Sequence, residues 1–335
     1  MKLYYYQAPE GNFGDDLNGW LWEELVPGIW DKDDGSVFCG IGTIIGNEMP
    51  AASRVTVFSS GIGYRPPPTD FATSRWKVLA LRGPLTARIL NQPEHAVADG
   101  ALLLSTLPRL APVPQSERRG VIFIPHYEAM TEGAWDHACL LAGVTLVDPR
   151  SSAHEVIDRI RHSRLVIADS MHAAIIADAM RVPWVPVVSS QRINSFKWLD
   201  WTLSLDLPYE PTPLPAISLS AAYGSAVQPL YGRGYRLRRA DPSRAIDHYH
   251  RSVRRDQSGW WRAVQPKLKH YLTTAPNRLP ASPLLRHYAD RRDGRQVERV
   301  AAALEALKDN GGYMSGARIF GERVEQLQAR LATVQ

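Results

Sequence analysis

Two histidines follow short apolar runs at points where each run would end as a β-strand. His172, with Ser170 just before it, comes after RLVIA (164–168) and opens an alanine-rich stretch, and His126 follows GVIFIP (120–125). The first backbone N–H groups of a helix have no partner within the helix, so they form a ready anion site. We therefore expect Ser170 and His172 to contact a bound anion. For His126, ligand binding and a structural role are about equally favoured.

Cationic residues stand at two further strand ends. Arg82 closes the run KVLAL, directly before Gly83-Pro84, and Ser190 and Arg192 follow VPWVPVV, with Lys197 about one helical turn later. Arginine suits bidentate binding of a carboxylate or phosphate, which favours a ligand contact for Arg82 over a buried ion pair. Ser190, Arg192 and Lys197 are predicted to bind substrate.

Near the N-terminus, the turn Gly11-Asn12-Phe13-Gly14 leads into Asp15 and Asp16. Either carboxylate could accept a proton from a sugar hydroxyl, and an N-cap role is the alternative. Glycine pairs also follow the next two strands, at 40–42 and 61–63. Three such turns in one half favour an edge lined by ligand, with Asn12 and Gly14 among its contacts.

Motifs for metals and cofactors are absent from the sequence. It contains no HExxH, GxSxG or P-loop pattern, and its two cysteines, Cys39 and Cys139, cannot form a zinc site alone. We predict no metal and no cofactor.

Apolar runs alternate with helical patterns over 1–110 and again over 120–210, separated by the proline-rich segment 107–120. Strands that alternate with helices predict parallel sheets. The sequence therefore predicts an α/β protein with two Rossmann-like domains that face a cleft. Ligands would bind outside the carboxyl ends of the strands.

The remaining residues, 211–335, are predicted to form a mainly helical, basic extension. Residues 233–295 hold sixteen Lys and Arg against five Asp and Glu, a net charge of +11, although the whole chain carries only +5. Basic residues interleaved with Trp260, Trp261 and Tyr271 suit an anionic membrane surface. A plain solvated surface is about equally favoured, and nucleic acid is not expected. The surface proposed to meet the membrane is 229–295.

The first residues contain no apolar core of a secretory signal, and no stretch of 18 apolar residues occurs. We predict a cytoplasmic protein, with a peripheral position on the inner face of the membrane as a further hypothesis.

The order of these features resembles the polysaccharide pyruvyl transferase family, including exopolysaccharide enzymes of the succinoglycan type. The resemblance covers about residues 1–205 and depends on GNFGDD, the glycine-rich strand ends, Arg82 before a helix, Asp99-Gly100, and the late strand–His–helix unit. It implies a fold like that of the two-domain GT-B glycosyltransferases. It also implies transfer of a carboxyethylidene (ketal) group from phosphoenolpyruvate to two hydroxyls of one sugar, in a repeat unit carried on a lipid.

The resemblance also implies roles for the site residues. The family commonly has Arg-x-His where this chain has Ser170-Met171-His172, so Arg192 or Lys197 is the hypothesised replacement for that arginine. His172 would contact the phosphate and is the candidate general acid. Arg82 would hold the donor, and Asp15 or Asp16 would be the base on the acceptor hydroxyl.

Two other functions stay open at this point. A glycosyltransferase of GT-B type could use the same glycine turns, Arg82 and His172 to bind a sugar nucleotide. Ser170 in place of the arginine favours instead a non-catalytic component of polysaccharide assembly at the membrane surface.

Overall fold

A computed structural model describes residues 1–30, 35–232, 234–237, 241–274 and 283–334. For residues 283–291 it describes the backbone alone. The described strands are β1 (Lys2–Tyr4), β2 (Ser36–Cys39), β3 (Arg54–Ser60), β4 (Trp76–Leu81), β5 (Arg119–Ile124), β6 (Thr145–Leu146), β7 (Ser163–Ala168), β8 (Trp184–Val188) and β9 (Thr212–Pro213). The α-helices over the same residues are α1 (Phe13–Asp16), α2 (Asn18–Leu25), α3 (Pro84–Leu90), α4 (Trp135–Ala142), α5 (Ala153–His162), α6 (Met171–Ala179), α7 (Ser195–Ser204), α8 (Leu219–Tyr231), α9 (Pro242–Gln257), α10 (Gly259–Thr274), α11 (Pro283–Glu305) and α12 (Ala317–Leu331).

Helix boundaries follow local chemistry. Pro84 opens α3, where its missing N–H costs nothing. The Ser152 hydroxyl accepts a hydrogen bond from the Glu155 N–H and so caps α5, and Asn194 caps α7 through the Phe196 N–H. Gly143 ends α4 in the left-handed conformation.

The strands form two parallel sheets, which confirms the predicted α/β class. The first sheet has the sequential order β1-β2-β3-β4, with Lys2 beside Val37 and Val37 beside Val55. Because its order never reverses, this sheet lacks the crevice of a doubly wound Rossmann sheet.

The second sheet has the order β6-β5-β7-β8-β9. Its strand order therefore reverses between β5 and β7, as in a doubly wound sheet. Ligands of such sheets bind outside the carboxyl ends of the strands at this reversal. His126 follows β5, and Ser170 and His172 follow β7, so these residues flank the reversal.

One hydrophobic core runs through both halves of the chain. It includes Phe13 and Leu81 from the first half and Ile175 and Trp201 from the second. Every residue of α6 is buried, because α6 lies between the second sheet and the 3₁₀ segment Gly100–Thr106. The predicted linker 107–120 is packed too, with Leu107, Leu110 and Val113 buried.

The extension is helical, as predicted, and it packs back on both sheets. Helix α11 lies against α4, and α12 lies against β4, where the Arg330 guanidinium donates to the Leu79 carbonyl at 2.7 Å. Tyr313 and Trp184 pair as an antiparallel bridge, with N–H···O distances of 3.0 and 2.7 Å. None of the described helices is both long and apolar enough to cross a bilayer.

Two local features lie outside the predicted pattern. The GNFG turn is part of a helical turn, Phe13–Asp16, that joins the next helix. The mainly helical extension also contributes a strand, because β9 pairs with β8 through Thr212 and Pro213. Two residues are too few to leave a hydrophobic pattern in the sequence.

Candidate active site

A cleft of about 1150 Å³ lies at the carboxyl ends of the second sheet. Three parts of the chain form its walls. The first half contributes Asn12, Asp15, Thr43 and Tyr64, the second half contributes His126, Ser170, His172, Arg192 and Lys197, and the extension contributes residues that include Tyr235, Arg262 and Lys269.

The GNFG turn joins the first half to the second. Gly11 has φ +87°, and a Cβ there would lie 2.7 Å from the Arg150 carbonyl oxygen. A Cβ on Gly14 would lie 1.9 Å from Nδ1 of His172. Only glycine allows this approach, so Gly14 seats the imidazole. Gly14 is not among the residues that line the cleft, and its contact with substrate stays a prediction.

Asp15 is the buried carboxylate of the cleft. It is 8% exposed and accepts a hydrogen bond from the Asn12 amide. Burial raises the pKa of Asp15 to about 7, although Lys197 and Asn12 oppose part of this increase and Asp16 adds to it. A carboxyl group that titrates near neutral pH is suited to general acid–base catalysis.

Asp16 does not line the cleft. Its carboxylate accepts a hydrogen bond from the Asn12 backbone N–H at 3.1 Å. This contact stabilises the turn before Asp15, so of the two predicted catalytic carboxylates the geometry selects Asp15.

His172 lines the cleft as the second residue of α6. Its Nε2 is buried and has no hydrogen-bond partner among the described residues. Burial, and then the positive charges of Lys197 and Arg82, lower the pKa of His172 to about 3. The imidazole is therefore neutral at neutral pH, and an anion bound beside Nε2 would raise its pKa.

Lys197 and Arg192 line the same cleft and provide cations near His172. The Lys197 ammonium lies 3.1 Å from the Tyr64 hydroxyl. The Arg192 guanidinium lies 3.7 Å from a Glu128 oxygen and 3.5 Å from a Glu132 oxygen. Ser170 lines the cleft beside them, at the position of the absent arginine. Both cations hypothesised to replace that arginine therefore lie where they could do so.

Asp169 organises this edge of the sheet and was missed in the sequence. Its buried carboxylate accepts hydrogen bonds from the His126 N–H at 3.0 Å, the Ser189 N–H at 2.9 Å and the Ser189 hydroxyl at 2.7 Å. It thus ties the ends of β5 and β8 to the end of β7. The signal in the sequence that could have found Asp169 is its position directly before Ser170, at the end of the same strand.

His126 lines the cleft, as predicted for a binding residue. Its pKa is lowered by burial and by the charges of Lys197 and Arg192, so it is neutral here. Ser190 lies outside the cleft lining, and its hydroxyl accepts from the Arg192 N–H at 3.3 Å. Ser190 therefore stabilises the loop that carries Arg192, and its contact with substrate stays a prediction.

Arg82 is not a ligand clamp in this structure. Its side chain is 0% exposed and pairs with Asp200, which lies on α7, at 3.0 Å. The guanidinium also donates to the Thr43 hydroxyl at 2.6 Å and to the Ile62 carbonyl at 3.3 Å. These partners satisfy the charge without a ligand, so the alternative of a buried ion pair is the observed one.

Among the described residues, His, Cys, Asp and Glu side chains form no group of three that could hold a metal ion. The cleft is lined by a carboxylate whose pKa is raised, neutral imidazoles, cations and the N-terminus of α6. This set is suited to binding a small anion and moving protons.

Comparisons with known proteins agree with this chemistry. The model of the family described as polysaccharide pyruvyl transferase matches residues 28–191. The chain is also 39% identical, over 224 residues, to the succinoglycan biosynthesis protein ExoV of Rhizobium meliloti (strain 1021). The aligned region covers 66% of this chain and 70% of that protein. No solved structure matches the chain. The cleft and these matches define a transferase, and the chain belongs to the polysaccharide pyruvyl transferase family.

Replacing Asp15 by asparagine should stabilise the protein at alkaline pH. The pKa of Asp15 is about 7 in the folded state, whereas an exposed aspartate has an ordinary pKa of 3.8. The folded state therefore binds the proton more tightly, and wild-type stability falls as the pH rises between these two values. The difference corresponds to about 4 kcal/mol. Urea unfolding at pH 4 and pH 8 should show a gain for Asp15→Asn that is much larger at pH 8. Exposed Asp309→Asn is the control, and an equal gain at both pH values would contradict the assignment.

Proposed function

We propose that this protein transfers a carboxyethylidene group from phosphoenolpyruvate to two hydroxyls of one sugar in an exopolysaccharide repeat unit carried on a lipid. The observation that carries the proposal is the unpartnered, buried Nε2 of His172 in the same cleft as Asp15 and Lys197. Family membership and the likeness to a succinoglycan biosynthesis protein support the reaction class.

The donor would bind at the strand-order reversal of the second sheet. Its phosphate and carboxylate need fixed cations and N–H donors, and Lys197, Arg192 and the N-terminus of α6 supply both. His172 would donate a hydrogen bond to the phosphate through Nε2. We propose no cofactor in this site.

The reaction needs two proton movements. A proton added to the methylene carbon of phosphoenolpyruvate makes C2 electrophilic, and one sugar hydroxyl attacks C2. Phosphate leaves when the C2–O bond to it breaks, and the second hydroxyl then closes the ketal. The two hydroxyl protons balance the one gained by carbon and the one gained by phosphate. Asp15, which titrates near pH 7, is the proposed group for these transfers.

The acceptor would enter from the first half and the extension. Tyr6 and Tyr64 of the first half and Tyr231 and Tyr235 of the extension line the cleft, and aromatic faces suit the apolar faces of sugar rings. This division, with the donor on residues 120–210 and the acceptor on 1–110, would match the arrangement of a GT-B enzyme. The continuous core between the halves supports a fixed cleft.

Incubation of the protein with labelled phosphoenolpyruvate and a lipid-linked oligosaccharide tests the proposal. A gain of about 70 Da in the acceptor, equal to one pyruvic acid less one water, is the expected product of this reaction class. Transfer of sugar from a labelled sugar nucleotide would instead establish the glycosyltransferase. An acceptor unchanged by either donor would favour the non-catalytic component.

The basic surface 229–295 is proposed to meet an anionic membrane, which would place the protein in the cytoplasm at the inner face. Trp260 is 70% exposed and Tyr271 is 61% exposed on α10, and aromatic side chains suit the membrane interface. Several of the basic residues, including Arg238, Arg239, Arg278 and Arg286, lie outside the described residues or side chains.

The full chain should float with anionic liposomes at low salt and separate from them at high salt. Each well-placed basic residue contributes about 1 kcal/mol near such a surface, and salt screens it. Trp260→Ala should weaken flotation, and Leu140→Ala, which removes an exposed apolar side chain of α4, should not. A protein that ignores anionic liposomes at low salt would disprove membrane binding.

A further inference from the structure

Helix α10 forms one wall of the cleft, and it does so with a polar stripe. Arg262, Gln265 and Lys269 all line the cleft. At about 100° per residue, their spacing places them on one side of the helix. The cleft therefore has cations on two walls: Lys197 and Arg192 on one, and Arg262 and Lys269 on the other.

The α10 cations are available to a ligand. The Arg262 Nε donates to the Asp256 carbonyl at 3.2 Å, which orients the guanidinium and leaves its other donors for a ligand. Among the described residues, neither Arg262 nor Lys269 forms an ion pair with a carboxylate. The carboxylate of Asp256, which also lines the cleft, lies 3.5 Å from Nε of Arg255.

The cleft is large enough for a second charged group. Its volume of about 1150 Å³ exceeds the roughly 300–1,000 Å³ of a typical small-molecule pocket. Tyrosines, including Tyr64 and Tyr235, also line this cleft. The ring centroids of these two tyrosines lie 5.2 Å apart in an edge-to-face arrangement. Two cationic walls and these tyrosines suit a small anion and a saccharide that carries its own anion.

The outer side of α10 differs from the cleft side. Trp260, Lys267 and Tyr271 lie roughly half a turn from the polar stripe, and both aromatic rings are exposed. The helix thus presents Arg262 and Lys269 to the cleft, and it presents two exposed aromatic rings together with Lys267 on its outer side. An amphiphile with a charged head and an apolar tail fits this arrangement.

We propose that Arg262 and Lys269 form a second anion subsite, which binds a phosphate group of the acceptor, such as a diphosphate between its saccharide and its lipid. The inference rests on the proposed function, because it assigns the Lys197 wall to the donor. The apolar chain beyond the phosphate would then leave the cleft along the outer side of α10.

Calorimetric titration of the full chain with farnesyl diphosphate, with phosphoenolpyruvate saturating, tests the subsite. The Arg262→Ala/Lys269→Ala variant should bind the probe on the order of 100-fold more weakly, because each lost charged contact costs about tenfold. Lys267→Ala, on the outer side of the same helix, should bind like wild type. A second experiment measures binding of the same variants to vesicles of phosphatidylglycerol. There, Lys267→Ala should weaken binding to the vesicles more than Arg262→Ala/Lys269→Ala does.

Three results would overturn the subsite. In the first, wild type shows no saturable binding of farnesyl diphosphate at low salt. In the second, the double variant and the Lys267 variant bind this probe equally well, and in the third, phosphoenolpyruvate competes completely with it. Turnover of labelled phosphoenolpyruvate on the same preparations separates the two proposals. Turnover with probe binding unchanged in the double variant disproves the subsite alone. Probe binding that depends on Arg262 and Lys269 without any turnover disproves the proposed reaction and leaves an anion subsite.

Discussion

Replacement of His172 by alanine is expected to lower turnover by about 10²–10³-fold, the usual cost of losing one preorganised donor to developing charge. Its Nε2 is buried, lines the cleft and has no partner among the described residues, so a bound anion is the partner that the geometry allows. Steady-state kinetics with labelled phosphoenolpyruvate measures the effect. The loss should fall on turnover more than on acceptor affinity, because the acceptor side of the cleft is unchanged.

Two further variants separate chemistry from packing. His172→Gln keeps a hydrogen-bond donor and should recover part of the activity. Gly14→Ala keeps the histidine itself but puts a Cβ about 1.9 Å from the present position of its Nδ1, so the ring must move and activity should fall. Near-normal turnover of His172→Ala, with an unchanged thermal transition, would remove this residue from the mechanism.

Replacement of Asp200 by alanine is expected to destabilise the protein by about 3–5 kcal/mol, because it leaves the Arg82 charge buried without a partner. Both side chains are 0% exposed, and Asp200 also accepts hydrogen bonds from the Thr86 N–H at 2.8 Å and the Thr86 hydroxyl at 2.6 Å. Urea unfolding at neutral pH measures the loss. Activity at saturating donor should fall less than in the His172 variant.

Matched variants test whether the buried charge is the cause. Removing both charges with Arg82→Met and Asp200→Leu should restore much of the stability, since a buried pair and an apolar pair of similar volume are often equivalent. The exposed pair Arg318–Glu322, at 2.6 Å, is the control, and Glu322→Ala should cost below about 1 kcal/mol. If Asp200→Ala raised the Michaelis constant for phosphoenolpyruvate without loss of stability, Arg82 would belong to the donor site after all.

The placement of Arg82 shows where prediction from spacing ends. A cation at the end of a buried strand needs a partner, and this much follows from its residue type. The identity of the partner depends on α7, 118 residues later, which brings the Asp200 carboxylate to the guanidinium. No local pattern distinguishes a protein carboxylate from the carboxylate of a ligand. The sequence around Arg82 therefore favours a ligand as its partner, whereas the structure shows Asp200.

The pair Asp15 and Asp16 illustrates the same limit at a shorter range. Both carboxylates follow the GNFG turn and are equivalent in the sequence. Helical backbone from Phe13 onward turns Asp15 toward the cleft and lets Asp16 accept the Asn12 N–H. Only the burial that follows brings the pKa of Asp15 to about 7, against the opposing positive charge of Lys197.

The sequence alone predicts the parallel sheets, the strand end that carries Ser170 and His172, and the helical extension. These features depend on hydrophobic period, capping residues and glycine or proline positions, all of which act within a few residues. The tertiary structure decided the partner of Arg82, the anchoring role of Asp169, and the approach of Arg262 and Lys269 to the cleft. These features depend on contacts between residues tens of positions or more apart, and such contacts form only when the apolar faces of the helices are buried against the two sheets.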